Sequence, residues 1–452
     1  MARLKRLLPI LLLAGLAAAP GAAAAGHGGE PFFPRTGNRG YDASSYEARL
    51  RYSPASGELR ARVEIEATAT QGLSRFSLDL YGMRVGSVTV AGRTARFSRG
   101  RGKLKVVPAR RLAPGDSFGM VVTYSGRPRR VIDPDGTSEG WNRTDDGAFA
   151  VGEPVGTPAW LVCNNALADK AYFSFDVTVP ARIAAVANGR LAEVERGRSL
   201  TRFRWEGGEP MAAYLAVLAI GRGKLTHSRA AGVPAWTLVD PRFAEHQRAL
   251  AALPEAIGFF SRLFGPYPFD SAGSVVDYAP ELGYALETQT RPIYAFAPDV
   301  ATVAHETAHQ WFGDSVGLRR WPEIWLNEGL ATWSQWYYAE RHGGPSAART
   351  LRRLYATPAS KTRFWNPPSA RIGSPDHLFG YSVYARGGMA VQALREEIGT
   401  PALLKVLRRW ATAHRHATAT IREFEALAAE VSGENLRPLF QRWLYRPGKP
   451  PL

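Results

Sequence analysis

Between residue 46 and about residue 220, apolar side chains recur at every second position, and glycine or proline interrupts the pattern at frequent intervals. Leu59, Ala61, Val63, Ile65 and Ala67 alternate with polar neighbours, as do Phe76, Leu78 and Leu80, and then Phe118, Met120, Val122 and Tyr124. An extended chain points successive side chains to opposite faces, so this spacing buries one face of a sheet and wets the other. Helices cannot use it. Further strands are expected over 172–179 and 212–220. Many short strands separated by turn signals indicate an all-β sandwich or saddle.

After Gly223 the period changes. Residues 247–263 and 299–312 have helical spacing, and Leu436, Phe440, Trp443 and Leu444 fall at i, i+4, i+7 and i+8. Thr420 and Glu423 are placed to form a capping box. The expected domain boundary lies near 222, in Gly221-Arg222-Gly223. The chain then reads as multidomain α+β, with an N-terminal all-β saddle over 26–222 and a mainly helical domain over 223–452.

Residues 1–25 read as a secretory signal peptide. Arg3, Lys5 and Arg6 precede an apolar run over 7–16, and small residues Ala22 to Ala25 offer cleavage sites. The run is shorter than the roughly 18 apolar residues a membrane helix needs. A secreted protein, periplasmic or extracellular, with no stable membrane span is therefore expected. A single cysteine, Cys163, excludes an intrachain disulfide framework and a Cys-rich zinc finger. It reads as a small buried hydrophobe. With 57 basic against 40 acidic residues the net charge is +17. The segment 84–130 is strongly basic with one acid, Asp116. No nucleic-acid motif accompanies the charge, so it reads as a solvated face, and no nucleic-acid partner is expected.

The chemistry is concentrated in His305-Glu306-Thr307-Ala308-His309. Residues four apart share one helix face, about 5–6 Å apart at Cβ, so both imidazoles can reach one zinc ion. Glu306 lies one residue along, within reach of a water beside that ion. Asp299 could cap the helix start, and Gly313 is a natural stop. A catalytic zinc site takes three protein ligands. Glu328, nineteen positions after His309 in Trp325-Leu326-Asn327-Glu328-Gly329, offers the third from a second helix.

These blocks, from His305 through Trp311-Phe312-Gly313-Asp314 to Leu326-Asn327-Glu328-Gly329, resemble the zinc signature of the gluzincin aminopeptidases typified by aminopeptidase N and leukotriene hydrolase. The resemblance implies a β saddle followed by a thermolysin-like catalytic domain, one Zn2+ ion, and peptide substrates with a free N-terminal amine. It assigns His305, His309 and Glu328 to the metal and Glu306 to general-base work. Tyr284-Ala285-Leu286-Glu287-Thr288 sits where the family has its exopeptidase motif. That implies an amine-gripping role for Glu287 and substrate contacts along the edge strand at Ala285. Tyr284 and Thr288 depart from the family pattern. Tyr384-Ala385-Arg386-Gly387 fits the catalytic-tyrosine motif with Arg for Lys, and Tyr381 competes for that role. Glu153 resembles a β-domain residue that co-anchors the amine. Many relatives carry a long helical domain after the catalytic one, so a more open cleft is expected here. The rival expectations are a thermolysin-like endopeptidase and a non-catalytic peptide-binding scaffold of the same fold.

Overall fold

The computed structural model describes residues 30–452 apart from Gln247. The expected signal over 1–25 lies outside the described residues. The β domain is built on an eight-stranded sheet. At its centre Tyr41–Ser53 pairs antiparallel with Glu58–Ala69 and parallel with Tyr172–Pro180. The alternation works as expected. Leu59, Val63 and Ile65 are fully buried, and the facing charges pair in the solvent layer, Arg49 with Glu47 and Arg202 with Asp176.

A second sheet runs in the order Ala184–Ala187, Leu218–Gly221, Ala148–Val151, Ser138–Arg143, Arg130–Ile132. Its inner strands are buried on both faces, so they read as continuous apolar runs rather than alternations. This corrects the expectation of one strand over 212–220. A 3-10 turn at Ala213–Leu215 precedes the strand Leu218–Gly221, and both are buried. A fully apolar run cannot announce where it bends.

The C-terminal region opens with a five-stranded mixed sheet in the order Lys224–Ala230, Val233–Val239, Ala272–Val276, Ile293–Tyr294, Ala285–Leu286. The last of these is an edge strand. Helices follow or interleave: α1 (Ala252–Phe264), α2 (Val300–His309), α3 (Trp325–Arg341), α4 (Gly387–Ala413) and α5 (Ile421–Ser432). α1 starts later than its apolar spacing suggests, because Ala249–Ala251 forms a 3-10 turn. α2 stops at His309 rather than near residue 312. Gln310 and Trp311 tighten onto Thr307 and Ala308, and Gly313 turns the chain back at φ +136°. The Thr420–Glu423 capping box is present at the start of α5. Leu436, Phe440, Trp443 and Leu444 are buried across a short helix, Arg437–Phe440, and the π turn after it. Among the described residues no helix is long and apolar enough to cross a membrane.

The two regions are joined by buried cations. Arg291 donates to the carbonyls of Ala187 and Gly189 in the β domain and of Trp236 and Ala272 in the mixed sheet. Lys170 donates to Asp314 O at 2.7 Å and Ser315 O at 2.8 Å, gripping the turn after α2. Four carbonyls around one guanidinium fix a relative orientation that apolar packing alone leaves adjustable.

Candidate active site

α2 begins where its cap dictates. Asp299 Oδ1 accepts from the Thr302 amide at 2.7 Å. Buried Val303, Ala304 and Ala308 seat the helix, leaving His305 and His309 one turn apart with ring centroids 4.8 Å apart. Their Nε2 atoms lie 3.1 Å apart. Glu328, in the first turn of α3, brings Oε2 to 3.3 Å from His305 Nε2 and 3.4 Å from His309 Nε2. Ligands held about 2.0–2.2 Å from a tetrahedral ion are separated by about 3.3–3.6 Å. Two edges of the observed triangle fall in that range, and the third, between the imidazoles, is 0.2 Å shorter. His309 Nδ1 sits 3.0 Å from Phe312 O, which leaves the lone pair on Nε2, toward the triangle. The donor set, two imidazole nitrogens and one carboxylate oxygen, therefore fits zinc in number, type and spacing. Burial would raise the Glu328 carboxyl, but His309 and His305 outweigh it and hold it low.

Glu306 is buried beside this triangle. Burial raises its carboxyl well above the ordinary range, with Glu287 and Glu328 adding to the shift against His309. Glu287 follows the edge strand Ala285–Leu286, and Glu153 enters from the β domain just past Ala148–Val151. Both are nearly sealed, at 2% and 5% exposure. Neither Glu153 oxygen has a hydrogen-bond partner among the described residues, nor does Glu287 Oε1. Burial raises both carboxyls, and the charge of Glu287 raises Glu153 further. Buried acceptors left bare in this way call for a cationic donor.

Tyr384 stands in a π turn, Ser382–Arg386, with its ring 6.1 Å from that of His305. Tyr381 is 56% exposed and packs on Phe364 instead. Arg386 is buried and donates to the carbonyls of Trp365, Arg442, Trp443, Arg446 and Gly448. At this position, then, the cation ties the tyrosine turn to the C-terminal segment. All eight residues singled out from the sequence line one cavity of about 620 Å3, whose wall is completed by Thr137, Tyr284, Leu286 and Phe379. The departure at Tyr284 has a structural use, since its phenol donates to Ser138 O at 2.7 Å and pins the edge strand to the β domain. Sequence reasoning missed Thr137 and Phe379, which carry no motif, and missed Gln310 and Asp314, whose roles lie in hydrogen bonds to distant segments.

Two imidazoles and a carboxylate around one ion position, with a buried acid beside them, define a mononuclear zinc hydrolase centre of the kind found in metallopeptidases. Residues 287–443 match the peptidase family M1 domain. Aminopeptidase M1-C from Oryza sativa subsp. japonica is 25% identical over 323 residues, covering 66% of this chain and 37% of that protein. Leucyl aminopeptidase from Saccharolobus solfataricus is 21% identical over 449 residues, covering 90% and 53%. The chain thus spans about a third to a half of the length of these curated relatives. Among solved structures, the M1 zinc metallopeptidase from Deinococcus radiodurans superposes with a TM-score of 0.85 at 28% identity, covering 94% of this chain and 98% of that one. A point variant of that enzyme, solved with a Tyr-Ser-Ala substrate, superposes with a TM-score of 0.86. Residues 287–443 thus carry a peptidase family M1 domain, and the cofactor that this domain and the site's donor set indicate is one zinc ion.

Proposed function

We propose that this chain is an aminopeptidase that hydrolyses the first peptide bond of peptides carrying a free N-terminal amine, removing one residue at a time. The observation that carries the reading is the pair Glu287 and Glu153. They are two buried carboxylates with bare oxygens, in the same cavity as the ion position. A terminal ammonium supplies both the positive charge and the donors this pair lacks, and its capture fixes which bond lies over the ion.

When bound by His305, His309 and Glu328, zinc polarises a carbonyl and lowers the pKa of water toward neutrality. Glu306 takes the proton from the attacking water and passes it to the leaving nitrogen, and its raised carboxyl pKa suits a base that must later act as an acid. Burial keeps the Tyr384 phenol protonated, so it serves as a hydrogen-bond donor to the developing oxyanion. Among the described residues the outer edge of Ala285–Leu286 has no partner strand, so the backbone at Ala285 can pair with the substrate as an added strand. Four acids, Glu153, Glu287, Glu306 and Glu328, line the cavity, so it favours a cation despite the basic surface.

The domain boundary near residue 222 is supported by the change from the buried β-domain sheet, ending at Gly221, to the mixed sheet beginning at Lys224. Export to the periplasm or medium is supported by the pattern of residues 1–25, and recovery of the chain shortened by about 25 residues from those compartments tests it. For the activity, a scan of fluorogenic aminoacyl substrates with and without a chelator is decisive. Hydrolysis that disappears with the chelator and returns with zinc is expected. No hydrolysis across the panel by the zinc-loaded chain favours a peptide-binding scaffold.

A further inference from the structure

We propose that Gln310 is the positioning residue of the amine site: it fixes the turn carrying Glu287 against the end of the helix carrying the zinc-ligating histidines. This inference rests on the aminopeptidase reading. Gln310 directly follows His309, is buried, and does not line the cavity. Its Nε2 donates to Glu287 O at 2.9 Å and to Asp314 Oδ2 at 2.7 Å. Its Oε1 accepts from the Thr290 amide at 2.9 Å and from the Tyr267 hydroxyl at 3.2 Å. A glutamine amide has two hydrogens and two lone pairs to place, and all four are used. The orientation is also fixed, because reversing the amide would set its nitrogen against the Thr290 N–H and its oxygen against two acceptor oxygens, Glu287 O and Asp314 Oδ2.

Two of these bonds, to Glu287 O and from Thr290 N, are those a neighbouring peptide unit would make. Gln310 stands in for a missing strand partner of the 287–290 turn. That turn needs holding. Thr290 sits at φ +65°, in the left-handed region that a β-branched residue rarely adopts. Other bonds anchor the turn to the β domain, from Gly189 N to Thr290 Oγ1 and from Asn188 Nδ2 to Gln289 O. The bonds of Gln310 anchor it to α2. Loosening this turn moves the carboxylate that captures the ammonium rather than the groups around the ion, so it weakens substrate capture more than it slows the reaction.

The test uses the zinc-loaded full chain with Gln310→Met, which removes all four bonds at similar length, and Gln310→Glu. The second keeps both acceptor bonds but cannot donate to Glu287 O. With leucine p-nitroanilide, KM is expected to rise at least tenfold while kcat stays within about threefold and zinc remains at one per chain. Inhibition by 3-methylbutylamine, which has the amine and side chain but no carbonyl for the ion, weakens by the same factor as KM rises. An unchanged KM, or parallel loss of kcat and zinc, overturns the positioning role. If neither Gln310 variant folds, Tyr267→Phe decides the matter. It removes one bond, and a KM rise of about two- to fivefold is expected, while none overturns the proposal. Wild-type chain that cleaves the N-acetylated substrate as well as the free one defeats the aminopeptidase reading itself. A wild-type free-amine preference that survives intact in the variants defeats only the role of Gln310.

Discussion

Glu328 and Tyr384 are brought together by a contact between glycines. Gly329 follows Glu328 on α3, and Gly387 lies three residues past Tyr384 at the start of α4. A Cβ added at Gly387 would sit 3.0 Å from Gly329 Cα, and one added at Gly329 would sit 3.1 Å from the Gly387 carbonyl carbon. Carbon atoms pack at about 3.5–4.0 Å. Gly387→Ala therefore forces the backbones apart by a few tenths of an ångström, since nothing in the contact is a side chain able to swing away. Overpacking of this kind costs about 1–3 kcal/mol, and a displacement near 1 Å at a reacting group lowers turnover by about 10²-fold. In Gly387→Ala, kcat is expected to fall roughly three- to tenfold on that scale, with zinc retained at one per chain. The denaturant midpoint should drop as well. Gly388→Ala is the control. The contacts there are Thr332 Cγ2 at 2.8 Å and Trp336 at 2.9 Å, side chains that can shift, so its kcat changes less. Wild-type kcat in Gly387→Ala, or loss of its zinc, would refute the view that this contact sets the tyrosine against the ligand helix.

Glu306→Gln is expected to keep zinc and lose about 10²–10⁴ in kcat, and a drop smaller than tenfold, measured at equal metal content, removes Glu306 from the base role. Glu287→Ala should raise KM for free-amine substrates far more than it weakens zinc binding. Equal metal loss there points to a structural carboxylate. Asp277 is buried near Asp146 and Asp240, and burial above all lifts its carboxyl to about 7 from 3.8. The folded chain thus holds a proton that the unfolded chain releases above pH 3.8, so this contribution to stability is fully present below that pH and is lost as the pH rises through about 7. Asp277→Asn should flatten the fall in the denaturant midpoint between pH 5 and 7, worth on the order of 1 kcal/mol per pH unit. An unchanged slope contradicts the buried-carboxyl assignment.

The parts of the fold that were legible in the sequence are those where one face meets water. Leu59, Val63 and Ile65 announced a strand because Arg60, Arg62 and Glu64 stand opposite them. The 212–220 run has no such contrast, so its 3-10 turn was invisible. The zinc triangle was legible because two ligands share one helix turn and the third lies in a short apolar helix nearby. The supports of the site were not. Gln310 meets Glu287, Thr290 and Tyr267, which lie 20 to 43 positions away, and Lys170 meets Asp314 across 144 positions. Contacts of that kind follow from tertiary packing, within one domain for Gln310 and between the two for Lys170, and no local period encodes them. Arg386 shows the same limit. The sequence marked it as a departure from a motif, whereas its five carbonyl partners come mostly from the last dozen residues.

The most direct test is the rate of the zinc-loaded chain on one aminoacyl anilide, with its amine free and with the same amine acetylated. Acetylation removes the ammonium proposed to bind Glu287 and Glu153 and leaves the scissile bond unchanged. A fall in kcat/KM of at least 100-fold on acetylation, with all activity lost to a chelator and restored by zinc, is the expected result. Equal rates on the two substrates, or hydrolysis that persists without metal, would contradict it.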